Sequence, residues 1–209
     1  MKLHELKKVY REKKNEIKKR LEDFKQTQDL GDDVVFDELC FCTLTPQSKA
    51  LNCWNAIEEL KRSGLLYQGE HKDIGKVLQK QVRFHNNKAK YIVKNRELFF
   101  SNGIKDKLVI KNEQNNTREW LVQNIHGYGY KEASHFLRNI GFRDLAILDR
   151  HILNHLVNMR VINEIPKSLS KDKYLEIEQK FKAYSNKIGI SMDELDLLFW
   201  SLQTGKVFK

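Results

Sequence analysis

Proline is almost missing from this chain and cysteine is scarce. Two prolines and ten glycines among 209 residues are too few turn-formers for a β-sandwich of short strands, and too little flexible sequence for a disordered chain. The three cysteines, Cys40, Cys42 and Cys53, are an odd number without CxxC spacing. They do not make a disulfide framework, and three thiols fall short of the four ligands of an iron–sulfur cluster. Cys40 and Cys42 lie in an apolar run and are expected as buried, reduced thiols. No apolar run approaches the length that spans a bilayer, and Met1-Lys-Leu-His-Glu-Leu-Lys-Lys is too charged for a secretory signal. A cytoplasmic protein without membrane attachment is expected. No stretch alternates convincingly as strand, and there is no internal repeat.

What is present is helix-forming and basic. Hydrophobic residues make up 40% and charged residues 32% of the chain, and 38 Lys and Arg against 28 Asp and Glu give a formal charge of +10. Such an excess fits a polyanion partner, and equally a basic protein kept soluble by its charge. The length suffices for one sizeable core, or for two lobes sharing one. Residues 3 to about 28 read as a charged helix with Leu3, Leu6, Val9, Tyr10, Ile17, Leu21 and Phe24 as its apolar stripe. Val34 to Leu44 is apolar nearly all round, which places that helix inside the core. Ser48 is positioned to cap a helix running to about Arg62, which Ser63-Gly64 closes. The pattern is irregular from Gly69 to Gly75 and helical again from Phe84 to Phe100. A turn is expected at Ser101-Asn102-Gly103 and a poorly patterned piece at 112–117. Further on, Pro166 precedes a helix near 170–187, and Ser191-Met-Asp-Glu194 is a capping-box pattern opening a last helix that Gly205 stops. The fold class is all-α.

One stretch interrupts helix in a way that invites a ligand. Trp120, Leu121, Asn124 and Ile125 share one helical face, and Ala133, Phe136, Leu137 and Ile140 share another, with Gly127 and Gly129 between them. Helix-start amides lack internal partners, and glycine lets a phosphate come close to the backbone, so a helix, a glycine hairpin and a second helix form an anion-binding device. Lys131 falls in the first turn of the second helix, where the same amides disfavour an ammonium and so suit an amine nucleophile. Gly141 ends this helix. Asp149 is the natural N-cap of a helix starting at Arg150, a position that keeps a carboxylate ionised. An amine that captures an anomeric carbon and a carboxylate that stabilises positive charge on the sugar would together support displacement at C1′. By spacing alone the pair equally describes a surface lysine and a capping aspartate.

Residues 117–155 decide between these readings. Val122-Gln-Asn-Ile-His-Gly-Tyr-Gly-Tyr-Lys-Glu-Ala-Ser-His-Phe-Leu-Arg-Asn-Ile-Gly141, followed by Leu145-Ala-Ile-Leu-Asp-Arg-His151, resembles the helix-hairpin-helix glycosylase superfamily. Within it, the likeness is to the archaeal and thermophile-type second class of 8-oxoguanine DNA glycosylase/AP lyase. Phe36–Thr45, Phe84 with Ala89–Val93, Ile165–Ser170 and Leu195–Lys209 resemble further parts of that class, so the likeness covers most of the chain. It implies two helical lobes flanking a cleft, approximately 1–45 plus 132–209 and 46–131, with the hairpin at their junction. It also implies a monomeric enzyme without a cofactor, acting on double-stranded DNA that contains oxidised guanine. Such an enzyme flips out and excises the base, then cleaves the abasic strand by β-elimination. Lys131 matches the Schiff-base lysine and Asp149 the catalytic aspartate. Gly127 and Gly129, with the carbonyls around Ile125 and His126, match the hairpin that holds a backbone phosphate, often through a monovalent cation, and His151 matches a phosphate contact. Phe84 and Trp200 match aromatics that sandwich the flipped base. Lys209 matches the terminal residue whose backbone end reads it.

The sequence also departs from that pattern. Thr45-Pro46-Gln47 stands where Thr-Ala-Asn is usual, so Gln47 takes the gap-filling place with a longer amide that Pro46 re-aims. His126, Tyr128 and Tyr130 replace smaller or aliphatic hairpin residues, and Leu51-Asn52-Cys53-Trp54 replaces a Gly-Gly pair. Two alternatives stay open at this point: a related glycosylase for another damaged base, and a non-enzymatic helix-hairpin-helix DNA-binding protein.

Overall fold

The computed structural model describes residues 3–101, 104, 108 and 113–209, and among them every regular element is helical. The helices are α1 (Leu3–Gln26), α2 (Asp32–Leu44), α3 (Ala50–Arg62), α4 (Leu65–Gln68), α5 (His71–Gln79) and α6 (His85–Ser101). After these come α7 (Gln114–Asn124), α8 (Tyr130–Asn139), α9 (Arg150–Asn158), α10 (Lys171–Ile188) and α11 (Met192–Thr204). They group into two units, Gln28–Phe136 and Met1–Thr27 with Leu137–Lys209. The lobes expected from the sequence placed 1–45 together, whereas here α2 groups with the segment that follows it. The reason is its surface. Every residue from Val35 to Leu44 is buried, and α2 packs on both α3 and α6.

Within residues 28–136, α2 carries polar groups that its neighbours must satisfy. Asp37 is buried, takes the Lys61 ammonium at 2.7 Å and accepts from the Tyr67 hydroxyl at 2.7 Å. Burial nevertheless pushes its carboxyl above the ordinary aspartate value. Cys40, Cys42 and Cys53 are all buried and unpaired in disulfides, as expected. Burial raises the Cys53 thiol to about 11, which keeps it protonated and inert. The segment expected to be irregular from Gly69 to Gly75 holds the start of α5, just after the one-turn α4; Leu66, Ile74 and Leu78 of these helices are buried, and Leu65 and Val77 are half-buried. Flanking glycines and helices this short hide such a pattern from periodicity. Gly75 lies against Ala89 of α6, so α5 and α6 pack closely. Ser48 does not cap α3: Lys49 is the N-cap residue and makes no side-chain cap bond. The Ser48 hydroxyl is engaged elsewhere, with Arg83 and Lys88. Of the turn expected at 101–103, Ser101 is the last residue of α6 and residues 102 and 103 lie outside the described residues, while α7 begins inside the piece expected to be poorly patterned.

In the other unit α11 is central, packed by α1, α9 and α10. Ser191 and Glu194 form the expected capping box at its start. On α1, Leu6, Tyr10, Ile17, Leu21 and Phe24 are buried, while Leu3 at the end of the stripe is exposed. The helix stops at Gln26 and a 3-10 turn follows over Thr27–Leu30. The Tyr10 hydroxyl donates to Glu194 at 2.7 Å. Arg138, at the end of α8, is 1% exposed, lies 3.3 Å from the equally buried Asp196 and stacks 4.8 Å from the Phe24 ring. Gly141 ends α8 at φ +94°, where a Cβ would stand 2.8 Å from the Lys25 Cα. Only glycine fits there. No helix among the described residues is long and apolar enough to cross a membrane.

Candidate active site

The hairpin between α7 and α8 is built from three directions. α7 ends at Asn124, and the Ile125 backbone is extended. Gly127 follows at φ +84°, with the Tyr91 ring so close that a Cβ would lie 2.7 Å from it. That position needs glycine for both conformation and space. Gly129 has an ordinary φ, and a Cβ there would meet only the end of the Glu132 side chain. The Tyr91 ring also stacks on His126 at 6.2 Å and 13°. Beside it, Asn95 of α6 is fully buried, donates to the His126 carbonyl at 3.0 Å and accepts from the His126 N–H at 2.9 Å. The two tyrosines that depart from the family pattern are anchors. Tyr128 is buried and donates to the Leu39 carbonyl of α2 at 2.9 Å, and Tyr130 donates to Glu119 of α7. The Ile125 and His126 carbonyls, expected around a monovalent cation, each accept one hydrogen bond, from the Tyr128 N–H and from Asn95. A carbonyl has a second lone pair, so the donor set still fits a cation. Among the described residues no group of three or more His, Cys, Asp or Glu side chains is placed to hold a metal ion.

Lys131 lies in the first turn of α8 with its side chain 21% exposed. Its amine donates to the Thr45 hydroxyl at 3.0 Å and lies 3.4 Å from a Glu132 carboxylate oxygen. The Thr45 hydroxyl donates its own hydrogen bond to the Cys42 carbonyl at 2.9 Å, which leaves a lone pair for Lys131. The other Glu132 oxygen accepts from the Gly129 N–H at 3.1 Å, closing the start of the helix. A single carboxylate therefore steadies both the hairpin and the amine.

Two turns in the same unit hold non-glycine residues in the left-handed region. Gln47 has φ +53° and Phe84 has φ +57°. Gln47 is exposed, and Phe84 is 53% exposed with the Arg83 guanidinium over its ring. Core packing therefore does not account for Phe84. The turns meet at Ser48, whose hydroxyl accepts from the Arg83 N–H at 3.1 Å. Lys88 of α6, 3% exposed, donates to the same hydroxyl at 3.0 Å and to the Leu44 and Pro46 carbonyls at 2.7 and 2.8 Å. Burial pulls its ammonium down to about 8; Cys53 and Glu132 oppose this, while Lys131 and Arg83 add to it.

The remaining site residues expected from the sequence lie in the other unit. Asp149 caps α9, accepting from the Ile152 N–H at 2.8 Å. His151 is exposed in the first turn of α9. One turn further, His155 stacks on Phe199 of α11 at 4.3 Å and 9°, next to the half-buried Trp200. Burial holds His155 below the ordinary imidazole value, with the His151 charge acting in the same direction. Lys209 is 8% exposed. The connector Leu145–Leu148 is buried and tied to α10: the Ala146 N–H donates to Glu178 at 2.7 Å, and the Tyr174 hydroxyl meets the Ala146 carbonyl at 2.6 Å. This fixes the backbone that leads into Asp149.

Sequence reasoning missed Thr45, Lys88, Asn95 and Glu132. Lys88 and Asn95 left a trace: they share the buried face of α6 with Ile92 and Phe99, where helical spacing calls for apolar residues.

A family profile described as 8-oxoguanine DNA glycosylase matches residues 17–190. An 8-oxoguanine DNA glycosylase/AP lyase of Fusobacterium nucleatum is 47% identical, covering 99% of this chain and 97% of its own length. A protein of the same description from Methanocaldococcus jannaschii is 42% identical, covering 98% and 99%. The crystal structure of the Thermotoga maritima 8-oxoguanine DNA glycosylase superposes with a TM-score of 0.90 at 35% identity, covering 99% of this chain and 98% of that one. The Methanocaldococcus jannaschii 8-oxoguanine glycosylase/lyase, solved with a 15mer DNA containing 8-oxoguanine, superposes with a TM-score of 0.88 at 39% identity, covering 98% and 99%.

Proposed function

The chain belongs to the 8-oxoguanine DNA glycosylase family, and we propose that it excises 8-oxoguanine from DNA and cleaves the resulting abasic strand, with Lys131 as the nucleophile of the second activity. One observation carries this reading. An amine stands in the first turn of the helix that follows the glycine hairpin, half-buried and held between the Thr45 hydroxyl and the Glu132 carboxylate. A lysine that served only solubility would extend into solvent.

In this reading the hairpin amides and the basic surface grip phosphates, giving salt-dependent binding that ignores sequence. The damaged nucleotide leaves the stack at a cost of roughly a few kcal/mol. As the bond from C1′ to the base breaks, the base takes the electron pair and is protonated by water as it leaves. The Asp149 carboxylate stabilises the positive charge left on the sugar. The Lys131 amine adds to C1′, a proton passes from its nitrogen to the ring oxygen as the sugar ring opens to a Schiff base, and loss of a 2′ proton expels the 3′ phosphate. Water then hydrolyses the Schiff base and frees the lysine. Phe84 and Trp200 are assigned to the two faces of the flipped base, Gln47 to the gap it leaves, and His151 to a phosphate. The backbone carbonyl end of Lys209 supplies an acceptor for the proton that 8-oxoguanine carries on N7 and guanine lacks.

Borohydride trapping across a panel of duplexes tests the reading. A covalent adduct is expected on 8-oxoguanine DNA with the native protein and none with Lys131→Gln. Adducts confined to duplexes with alkylated bases would move the substrate to another lesion, and binding without any adduct would leave only a DNA-binding module.

A further inference from the structure

Two left-handed turns carrying exposed side chains need something to hold them. A non-glycine residue at positive φ is strained and persists only where its surroundings over-determine it. The chain spends this strain twice within one unit, at Gln47 and at Phe84. Both side chains point outward, so their own packing does not hold the turns.

Beneath the turns lies Lys88. An ammonium has three protons to donate, and each has an acceptor: the Leu44 carbonyl at 2.7 Å, the Pro46 carbonyl at 2.8 Å and the Ser48 hydroxyl at 3.0 Å. These acceptors bracket the turn that carries Gln47. The Ser48 hydroxyl also takes the Arg83 N–H at 3.1 Å, immediately before Phe84. A buried cation is retained only where fixed dipoles replace its water, and here these dipoles belong to the Gln47 turn, which Ser48 joins to the Phe84 turn. Lys88 lies four residues after Phe84, in the first turn of α6, and its N–H bonds the Phe84 carbonyl at 3.1 Å. Both ends of the lysine are thus tied to the same pair of turns.

We propose that Lys88 is a positioning residue for base excision: its buried ammonium locks the Gln47 turn to the Phe84 turn, setting the spacing at which the two side chains enter DNA. The inference rests on the function proposed above. It assigns Lys88 no contact with substrate and no part in the chemical step. Thr45, which holds the Lys131 amine, begins the same turn, so loss of the lock also loosens the nucleophile's partner.

The test compares the native protein with Lys88→Met, which keeps the length of the side chain and removes its donors, and with Ser48→Ala, which removes the shared hydroxyl and leaves Lys88 in place. Amide exchange in the free protein reads the lock directly: Arg83 and the 45–49 segment are expected to exchange faster in both variants, with the rest of α6 unchanged. In DNA, 2-aminopurine beside the 8-oxoguanine reports destacking as a rise in fluorescence. Single-turnover excision is expected to fall by about tenfold or more in Lys88→Met, roughly the worth of a lost charged hydrogen bond. The fluorescence rise should be reduced, while binding to undamaged duplex stays within about twofold. Ser48→Ala is expected to move both readouts in the same direction by less, and it decides the matter should Lys88→Met fail to fold. Excision and fluorescence like the native protein's in a folded variant would overturn the proposal, even with faster exchange at Arg83. A native protein that excises nothing would remove the functional reading and this inference with it. Inactivity before any substitution distinguishes that result from a failure of the lock.

Discussion

Asn95 and His126 hold each other twice, the Asn95 amide donating to the His126 carbonyl at 3.0 Å and its oxygen accepting from the His126 N–H at 2.9 Å. A side-chain amide here behaves as one more peptide unit, clasping the tip of the hairpin from a fully buried position on α6. Asn95→Ala removes both bonds and leaves the His126 peptide to find water. With each bond worth about 1 kcal/mol, DNA affinity is expected to fall by roughly five- to thirtyfold as the hairpin loosens, from one bond's worth to both. No charge is removed, so the slope of log affinity against log salt should stay unchanged. Anisotropy titrations at several salt concentrations check this, and an unaltered affinity would show that the hairpin holds its shape without the clasp.

Lys131→Gln tests the nucleophile without disturbing its surroundings. The glutamine amide can still donate toward Thr45, and α8 accepts glutamine as readily as lysine. Borohydride adducts and strand cleavage should vanish, while affinity for duplex DNA drops only by the loss of one cation. Persistent adducts would assign the Schiff base to a different amine.

Asp149→Asn separates capping from chemistry. Asparagine caps helices about as well as aspartate, so accepting from the Ile152 N–H costs α9 less than about 1 kcal/mol. The negative charge is nevertheless gone. Thermal unfolding is expected to shift by a few degrees at most, with base excision lost and duplex binding retained. A variant that still excises 8-oxoguanine at a native rate would remove the carboxylate from the mechanism.

Lys88 gives a pH dependence of definite sign. In the folded chain it releases its proton at about 8 rather than the ordinary 10.5. Between these values the unfolded chain holds more protons, so the contribution of this group to stability rises with pH across that window and is flat below it. The cost of burying the charged form is on the order of 3 kcal/mol at neutral pH. Lys88→Met removes that cost along with the three hydrogen bonds. The unfolding free energy of the native protein minus that of Lys88→Met should therefore climb as pH is raised from about 8 to about 10.5, as read from urea midpoints. Taking the difference cancels the titration of tyrosines and cysteines. A flat difference would mean that the hydrogen bonds hold the ammonium at its ordinary value.

Much of this architecture is legible in the sequence, for physical reasons that differ along the chain. The all-round apolar run of α2, the Asp149 cap, the capping box at Ser191 and the glycine stops at 141 and 205 follow from local rules, and the structure shows each of them. α4 and α5 were not legible because short helices carry too few apolar residues to show a period. Ser48 has the identity of a cap, yet tertiary partners claim its hydroxyl. The candidate site residues divide in the same way. Lys131 and Asp149 stand at helix starts, positions that sequence marks. Lys88, Asn95, Thr45 and Glu132 act through contacts across long sequence separations or through geometry that only the folded hairpin supplies, and composition gives no sign of that.

Lys209 carries the last prediction, which concerns what is cut rather than how. 8-Oxoguanine differs from guanine by a proton on N7 and an oxygen on C8, so selection needs an acceptor aimed at N7. Lys209 is 8% exposed, and Val207 two residues before it is buried as well, which fixes this segment in place. A fixed acceptor discriminates better than a mobile one, because guanine would leave it unpaired out of water. That penalty is about 1–3 kcal/mol, or roughly five- to a hundred-and-fifty-fold. Deleting Lys209 should therefore lower excision of 8-oxoguanine by about that factor, while adducts on a preformed abasic site, which has no base to read, remain at the native level. Equal losses on both substrates would mean that the deletion damages the fold. Unchanged excision would place the reading of N7 on another acceptor.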